Sequence, residues 1–199
     1  MSKGQLQKSL KFSLSIAVIT FVLAAIFSIA SSSALSGVSS IIGLVIVFSI
    51  VLLGVLFDTL GTASTAADEV PFHAMAAEKV RGAKHAIIIV RNADRVASFC
   101  NDVIGDISGV ISGTASAIVV LQIAYGFGYP EGSTFQIAIS VILTSLVAAL
   151  TVGGKAVGKF FAINASTKII LFAAKIIAFI EEKLKIKILS QEKKKGNKS

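Results

Sequence analysis

At 199 residues, 54% of them hydrophobic and with a mean hydropathy of +0.84, the chain has the composition of an integral membrane protein, and one all-α domain is expected. The absence of Trp, with two Pro and one Cys, places the apolar excess in aliphatic residues and Phe, excludes an intrachain disulfide, and leaves Cys100 to behave as a small hydrophobe. The formal charge of +8 does not imply nucleic acid: the Lys and Arg residues flank apolar runs instead of forming a stripe, which suits topology and contact with anionic lipid.

Four runs, 12–31, 41–63, 96–125 and 135–158, are each long enough to cross roughly 30 Å of hydrocarbon at about 1.5 Å per residue. The first follows a basic start, is too long for a secretory h-region, and is read as a retained anchor. The linker 32–40 is uncharged and Ser-rich, and 126–134 holds Tyr129, Pro130 and Glu131 but no base, so both are expected outside. The positive charge lies in the other three segments: Lys3, Lys8 and Lys11; Lys79, Arg81, Lys84, Arg91 and Arg95; and the tail from Lys183. The positive-inside bias puts all three, and therefore both termini, in the cytoplasm, with a bacterial cytoplasmic membrane as the expected location.

Between the second and third runs, residues 68–92 mix apolar and charged positions and read as one or two juxtamembrane helices. Asp68 can cap, Glu69 complements the dipole and Pro71 suits a first turn. After the last run, 160–188 places Lys168, Lys175 and Glu182 about seven residues apart against an Ile/Phe/Ala/Leu face, the pattern of an amphipathic helix on the inner leaflet. The residues from 189 to 199 are polar, Lys-rich and expected to be disordered.

An ionisable group inside a span is costly and marks a bundle interior or a wet cavity. Asp58 lies towards the cytoplasmic end of the second run, and Asp102 and Asp106 lie in the first turns of the third, so antiparallel packing would bring them to one depth. Asp102 and Asp106 are four apart and share a helical face, with Asn101 and Ser108 on flanking faces; Thr62 follows Asp58 by one turn. Carboxylate, amide and hydroxyl oxygens with neither thiolate nor His alongside are ligands for hard cations. The expected metal ligands are therefore Asp58 and Asp106, assisted by Asp102, Asn101, Thr62 and Ser108, with bound Mg2+, or Na+ or Ca2+, and no organic cofactor. The bland alternative has these acids at the interface, solvated or paired with Arg91, Arg95 or Lys155. Gly105, Gly109 and Gly113, with Gly153, Gly154 and Gly158, supply the small residues of close helix packing or dimerisation. His73 and His85 have no second ligand at metal spacing, and no nucleophile triad or phosphate loop occurs, so no enzyme activity is expected.

The stretch Leu56-Phe57-Asp58-Thr59-Leu60-Gly61-Thr62-Ala63, then Arg81-Gly82-Ala83-Lys84, Arg91-Asn92-Ala93-Asp94-Arg95 and Ile104-Gly105-Asp106, resembles the transmembrane domain of the cyclin M and CorB/CorC magnesium transporter family. That family carries Ser-Gly-Ser-Glu, a juxtamembrane helix, Asn-Pro-Glu-Arg and Gly-Asn in this order; Gly154-Lys155-Ala156 before a helix is similar to its Pro-Lys and the helical belt behind it. The resemblance covers roughly residues 50–185 and implies a homodimeric, magnesium-transporting domain whose cation is held by oxygens of those motifs. Carried over, Asp58 stands at the motif serine, Asp106 at the asparagine, and Thr151 at the glutamate before Pro-Lys, so the ligands are reshuffled. The regulatory cystathionine-beta-synthase-type domains that usually follow are not within these residues, and an amino-terminal span is added.

Two other readings stand beside cation transport. Phe57-Asp58 and Gly105-Asp106 resemble the Tyr-Asp and Gly-x-Gly-Asp pair of intramembrane aspartyl proteases, in which two aspartates share a proton; here Val103 stands at the motif's first glycine, and Pro-Ala-Leu is absent. A non-transporting scaffold or accessory subunit would use the same polar residues only to pack helices.

Overall fold

A computed structural model of the chain describes residues 3–184; the expected disorder of 189–199, and the last turn of the helix expected to reach 188, lie outside them. Among the described residues the chain is all-α. The helices are α1 (Lys3–Leu35), α2 (Ser40–Ala66), α3 (Val70–Ala77), α4 (Ala83–Arg91), α5 (Ala93–Ala97), a π-helical segment (Ser98–Gly105), α6 (Asp106–Gly126), α7 (Thr134–Asn164) and α8 (Ser166–Leu184). Four continuous stretches, Ser13–Leu35, Ser40–Ala66, Ala93–Gly126 and Thr134–Asn164, are long and apolar enough to cross a membrane. Their length and composition are those of a membrane protein.

The third stretch runs unbroken from α5 through the π segment into α6, starting three residues before the apolar run that marks it in the sequence. The fourth continues to Asn164 because Gly153, Gly154 and Gly158 do not break a helix that is packed on a neighbour. Its start is fixed locally: the Ser133 hydroxyl accepts from the Gln136 N–H, while the Gln136 side chain accepts from the Gly132 N–H. Residues 68–92 divide into two short helices, because the connecting turn puts Lys79 at φ 58° and Gly82 at φ 86°. At Gly82 a Cβ would also stand 2.8 Å from the backbone nitrogen of Lys175, so only glycine lets α4 start this close to α8.

α2 is the central element, touching α4, α5, the π segment, α6, α7 and α8. Its glycines set the register with the third span. A Cβ at Gly43 would meet Val119, one at Gly54 would meet Ser108, and one at Gly61 would meet Asn101. The two segments are thus antiparallel, each pair summing to about the same residue number. On the other side α7 runs parallel to α2, with Gly154 against Val55 and Gly158 against Thr59. At Gly109 and Gly113, expected to mediate packing, an added Cβ would meet nothing within 4 Å among the described residues. α1 is the least embedded span: it packs on α6 and the π segment, with Leu35 fully buried and its carbonyl accepting from the Gln122 amide at 2.9 Å.

Of three buried clusters among the described residues, one, Val103, Ile107 and Ile111, lies where α1 packs on the third span, and the other two occupy the ends of the bundle. One joins Leu35, Val47, Val51, Ala115, Val119, Val120, Leu143 and Val147. The other joins Ala63, Phe72, Ala86, Ile89, Ala162, Ile170 and Ala174, where α3, α4 and α8 fold over the ends of α2 and α7. On α8 the buried stripe Ile170, Ala174, Ala178 leaves Phe172, Ile176 and Phe179 exposed on a separate apolar face, as an interfacial helix requires.

Candidate functional site

Between the two clusters, α2 carries Asp58, a carboxylate only 5% exposed. Antiparallel packing brings it opposite Gly105, the last residue of the π segment: a Cβ there would lie 3.8 Å from Asp58 Oδ1 and 3.6 Å from Lys155 Nζ. Lys155 arrives from α7, held near α2 by the close approaches of Gly154 and Gly158 to Val55 and Thr59. Its ammonium lies 3.6 Å from Asp58 Oδ1 and 3.8 Å from Asp106 Oδ1. These are ion-pair distances beyond direct hydrogen bonding. Because Gly105 takes the position facing α2, Asp106 is turned about a quarter of the way round the helix and its side chain is 71% exposed. Lys155, 23% exposed, therefore links a buried acid to an exposed one.

Two oxygens at this α2 face lack partners. Asp58 Oδ2 and Asn101 Oδ1 are both buried without a hydrogen bond, and Asn101 lies directly on Gly61, one turn along α2 from Asp58. Asn101 is presented by the π segment, a helical form with one extra residue per hydrogen-bonded turn that recurs at functional sites.

The expected ligands do not all gather here. Asp58, Asp106 and Asn101 are brought to the site. Asp102 is exposed, with no ion pair to Lys155. The Thr62 hydroxyl donates to the Asp58 carbonyl at 2.9 Å, and the Ser108 hydroxyl to the Ile104 carbonyl at 2.8 Å, so both protons serve their own helices. Ser108 sits against Gly54, a turn away from Asp58 on the side of the Val47–Val51 cluster. Among the described residues no group of three or more His, Cys, Asp and Glu is placed to hold a metal ion.

The ligand set expected from the sequence omits Lys155, which enters there as a partner for interfacial acids and at the Pro-Lys position of the family resemblance. The available signal was a lysine between Gly154 and Gly158 at the end of a long apolar run, one turn before Lys159, a place where a cation needs a counter-charge. Ser64, one of the hydroxyl residues that the sequence places around Asp58 with Thr59, Thr62 and Thr65, is fully buried. Its hydroxyl donates to the Gly61 carbonyl at 2.7 Å and the Ala93 carbonyl at 3.4 Å, tying α2 to the start of the third span.

Outside the apolar stretches, Arg91 and His73 both hold Glu69, at 2.6 Å each, which closes α3 against the end of α4. The Arg91 hydrogen bond, then that of His73, keeps the Glu69 carboxyl below its ordinary range. Arg81 pairs with Glu182 at 2.5 Å and His85 with Glu181 at 2.9 Å, joining the start of α4 to the end of α8.

Fold and site together define an all-α membrane protein with four apolar helices and a buried carboxylate, ion-paired to a lysine, where three of those helices meet. Compared with protein-family models, curated proteins and solved structures, the chain gives no match.

Proposed function

We propose that this protein binds a hard cation, and moves it across the membrane, at the meeting point of α2, the π segment and α7. The observation that carries the reading is the pair of buried oxygens without partners, Asp58 Oδ2 and Asn101 Oδ1, beside a carboxylate–ammonium pair. A buried acceptor left unsatisfied costs on the order of 1–3 kcal/mol. A dehydrated cation held by Asp58 Oδ2 would satisfy that acceptor, and one that also reached Asn101 Oδ1 would satisfy both. Asp58 is the principal ligand and Asn101 supplies a neutral oxygen. Asp106, largely exposed, is the acid an ion would meet on the way in or out. Magnesium is the ion the family resemblance suggests, and a homodimer the assembly; the cytoplasm is the side from which α3, α4 and α8 would close the site.

The ion pair itself favours one second reading. With Lys155 already beside Asp58, the acid is partly neutralised without any ion, as in a scaffold or accessory subunit whose buried charges only fix helix register.

The purified full-length chain in detergent decides between them by thermal unfolding with magnesium, calcium, manganese or sodium against a bulky organic cation at equal ionic strength. A rise in Tm that is lost in Asp58→Asn and retained in Asp102→Asn is expected. The absence of any ion-dependent shift at millimolar concentration overturns cation binding. Binding without flux in proteoliposomes leaves the accessory role.

A further inference from the structure

Resting on that cation site, we propose that Lys155 determines which ions it accepts: its ammonium is a resident positive charge that leaves room for one more, so the site takes a monovalent hard cation and rejects a divalent one.

The charges that face the site come from three elements. Asp58 is on α2, Asp106 begins α6 and Lys155 is on α7, and the ammonium is within 4 Å of both carboxylates. Two carboxylates and one ammonium leave a net charge of −1. One monovalent cation neutralises it, whereas a divalent ion would leave an excess positive charge beside the buried Asp58, on the side of the site where an uncompensated charge is least tolerated.

The arrangement around Asp58 supports a small ion more than simple pairing. Lys155 approaches only Oδ1, at a distance too long for a hydrogen bond, and leaves the buried Oδ2 without a donor. A lysine meant only to neutralise this acid would be expected to donate to it. Gly105 faces both groups without a side chain between them: a Cβ there would lie 3.6 Å from Lys155 Nζ and 3.8 Å from Asp58 Oδ1. Magnesium demands near-ideal octahedral geometry and dehydrates reluctantly, keeping several waters beside one or two carboxylates, whereas a singly charged ion such as sodium sheds its water more readily to reach a carboxylate and an amide oxygen that are both buried.

The test uses the full-length chain in detergent. Thermal unfolding is titrated with sodium or magnesium chloride against choline chloride at constant ionic strength, in the native sequence and in Lys155→Met, Lys155→Arg and Asp58→Asn. In the native sequence and in Lys155→Arg, which keeps the charge, sodium should half-saturate at a concentration about tenfold or more below magnesium. Lys155→Met should reverse that order, and Asp58→Asn should abolish both responses. Magnesium preferred by the native sequence, or a folded Lys155→Met that keeps the native order, overturns the role of Lys155 while Asp58-dependent cation binding stands. If Lys155→Met does not fold, the native and Lys155→Arg titrations decide alone. No response to either ion in any folded variant overturns the cation site and this inference together.

Discussion

The buried clusters at the two ends of this bundle are built by different physics. Around Val47, Val51, Val119, Val120, Leu143 and Val147 the surface is as apolar as the interior, with Ile41, Val45, Val141 and Ile142 more than half exposed. With lipid as solvent, burial there has little hydrophobic driving force, and helices associate through shape, as where Gly43 accepts Val119. Around Phe72, Ala86, Ile89, Ile170 and Ala174 the same kinds of side chain lie under a charged surface that includes Glu69, Arg81, Arg91 and Glu182. Water can drive that burial. α2 passes through both, contributing Val51 to one and Ala63 to the other, and Asp58 falls between them. The buried charge thus sits at the seam, near enough to the polar end for Asp106 to stay exposed and deep enough for Asp58 not to be.

Three changes break or sharpen this contrast. The largest effect is expected from Phe72→Ala, which empties the fully buried centre of the water-driven cluster and should cost roughly 3–5 kcal/mol in reversible unfolding. Little change would mean that this end does not depend on hydrophobic burial. Gly158→Val is expected to cost less, about 1–3 kcal/mol, because its side chain must displace Thr59 and push α7 off α2. It should also weaken any cation-dependent rise in Tm, since Lys155 is carried on the same helix; a packing defect alone would lower Tm and leave that rise intact.

The smallest effect belongs to Glu69, at the charged surface. Its folded-state pKa lies below the ordinary 4.5, so its pairing with Arg91 and His73 adds stability above that value and loses it as pH falls through the depressed one. A modest Tm difference between the native sequence and Glu69→Gln is expected near neutral pH, closing as pH falls through the lowered pKa of Glu69 and shrinking with added salt. A difference that persists unchanged in acid would mean that Glu69 acts through packing instead.

Helix class and the four apolar stretches were legible because they depend on runs of side chains within one segment. The juxtamembrane region was legible as helix, and its capping signals stand where α3 begins, but the turn at Lys79 and Gly82 was not, since what makes glycine necessary at Gly82 includes the approach of Lys175, more than ninety residues away. The π segment was equally hidden: shifting the hydrogen-bond register by one residue leaves composition and apolar spacing almost unaltered. Asp58 and Asp106 stood out in the sequence as charges in apolar runs. That Asp102 would face outward while Asn101 lies on Gly61 depends on that local register, which alters the face each residue presents.

The sequence alone determined that the chain forms long apolar helices and that three carboxylates lie near the ends of two of them, because hydropathy and charge are properties of local composition. Only the tertiary structure decided which carboxylate is buried, that a lysine from α7 reaches it, and that two oxygens beside it lack partners. Those outcomes turn on how closely backbones approach at Gly54, Gly61, Gly154 and Gly158, where a single methyl group would move a helix away.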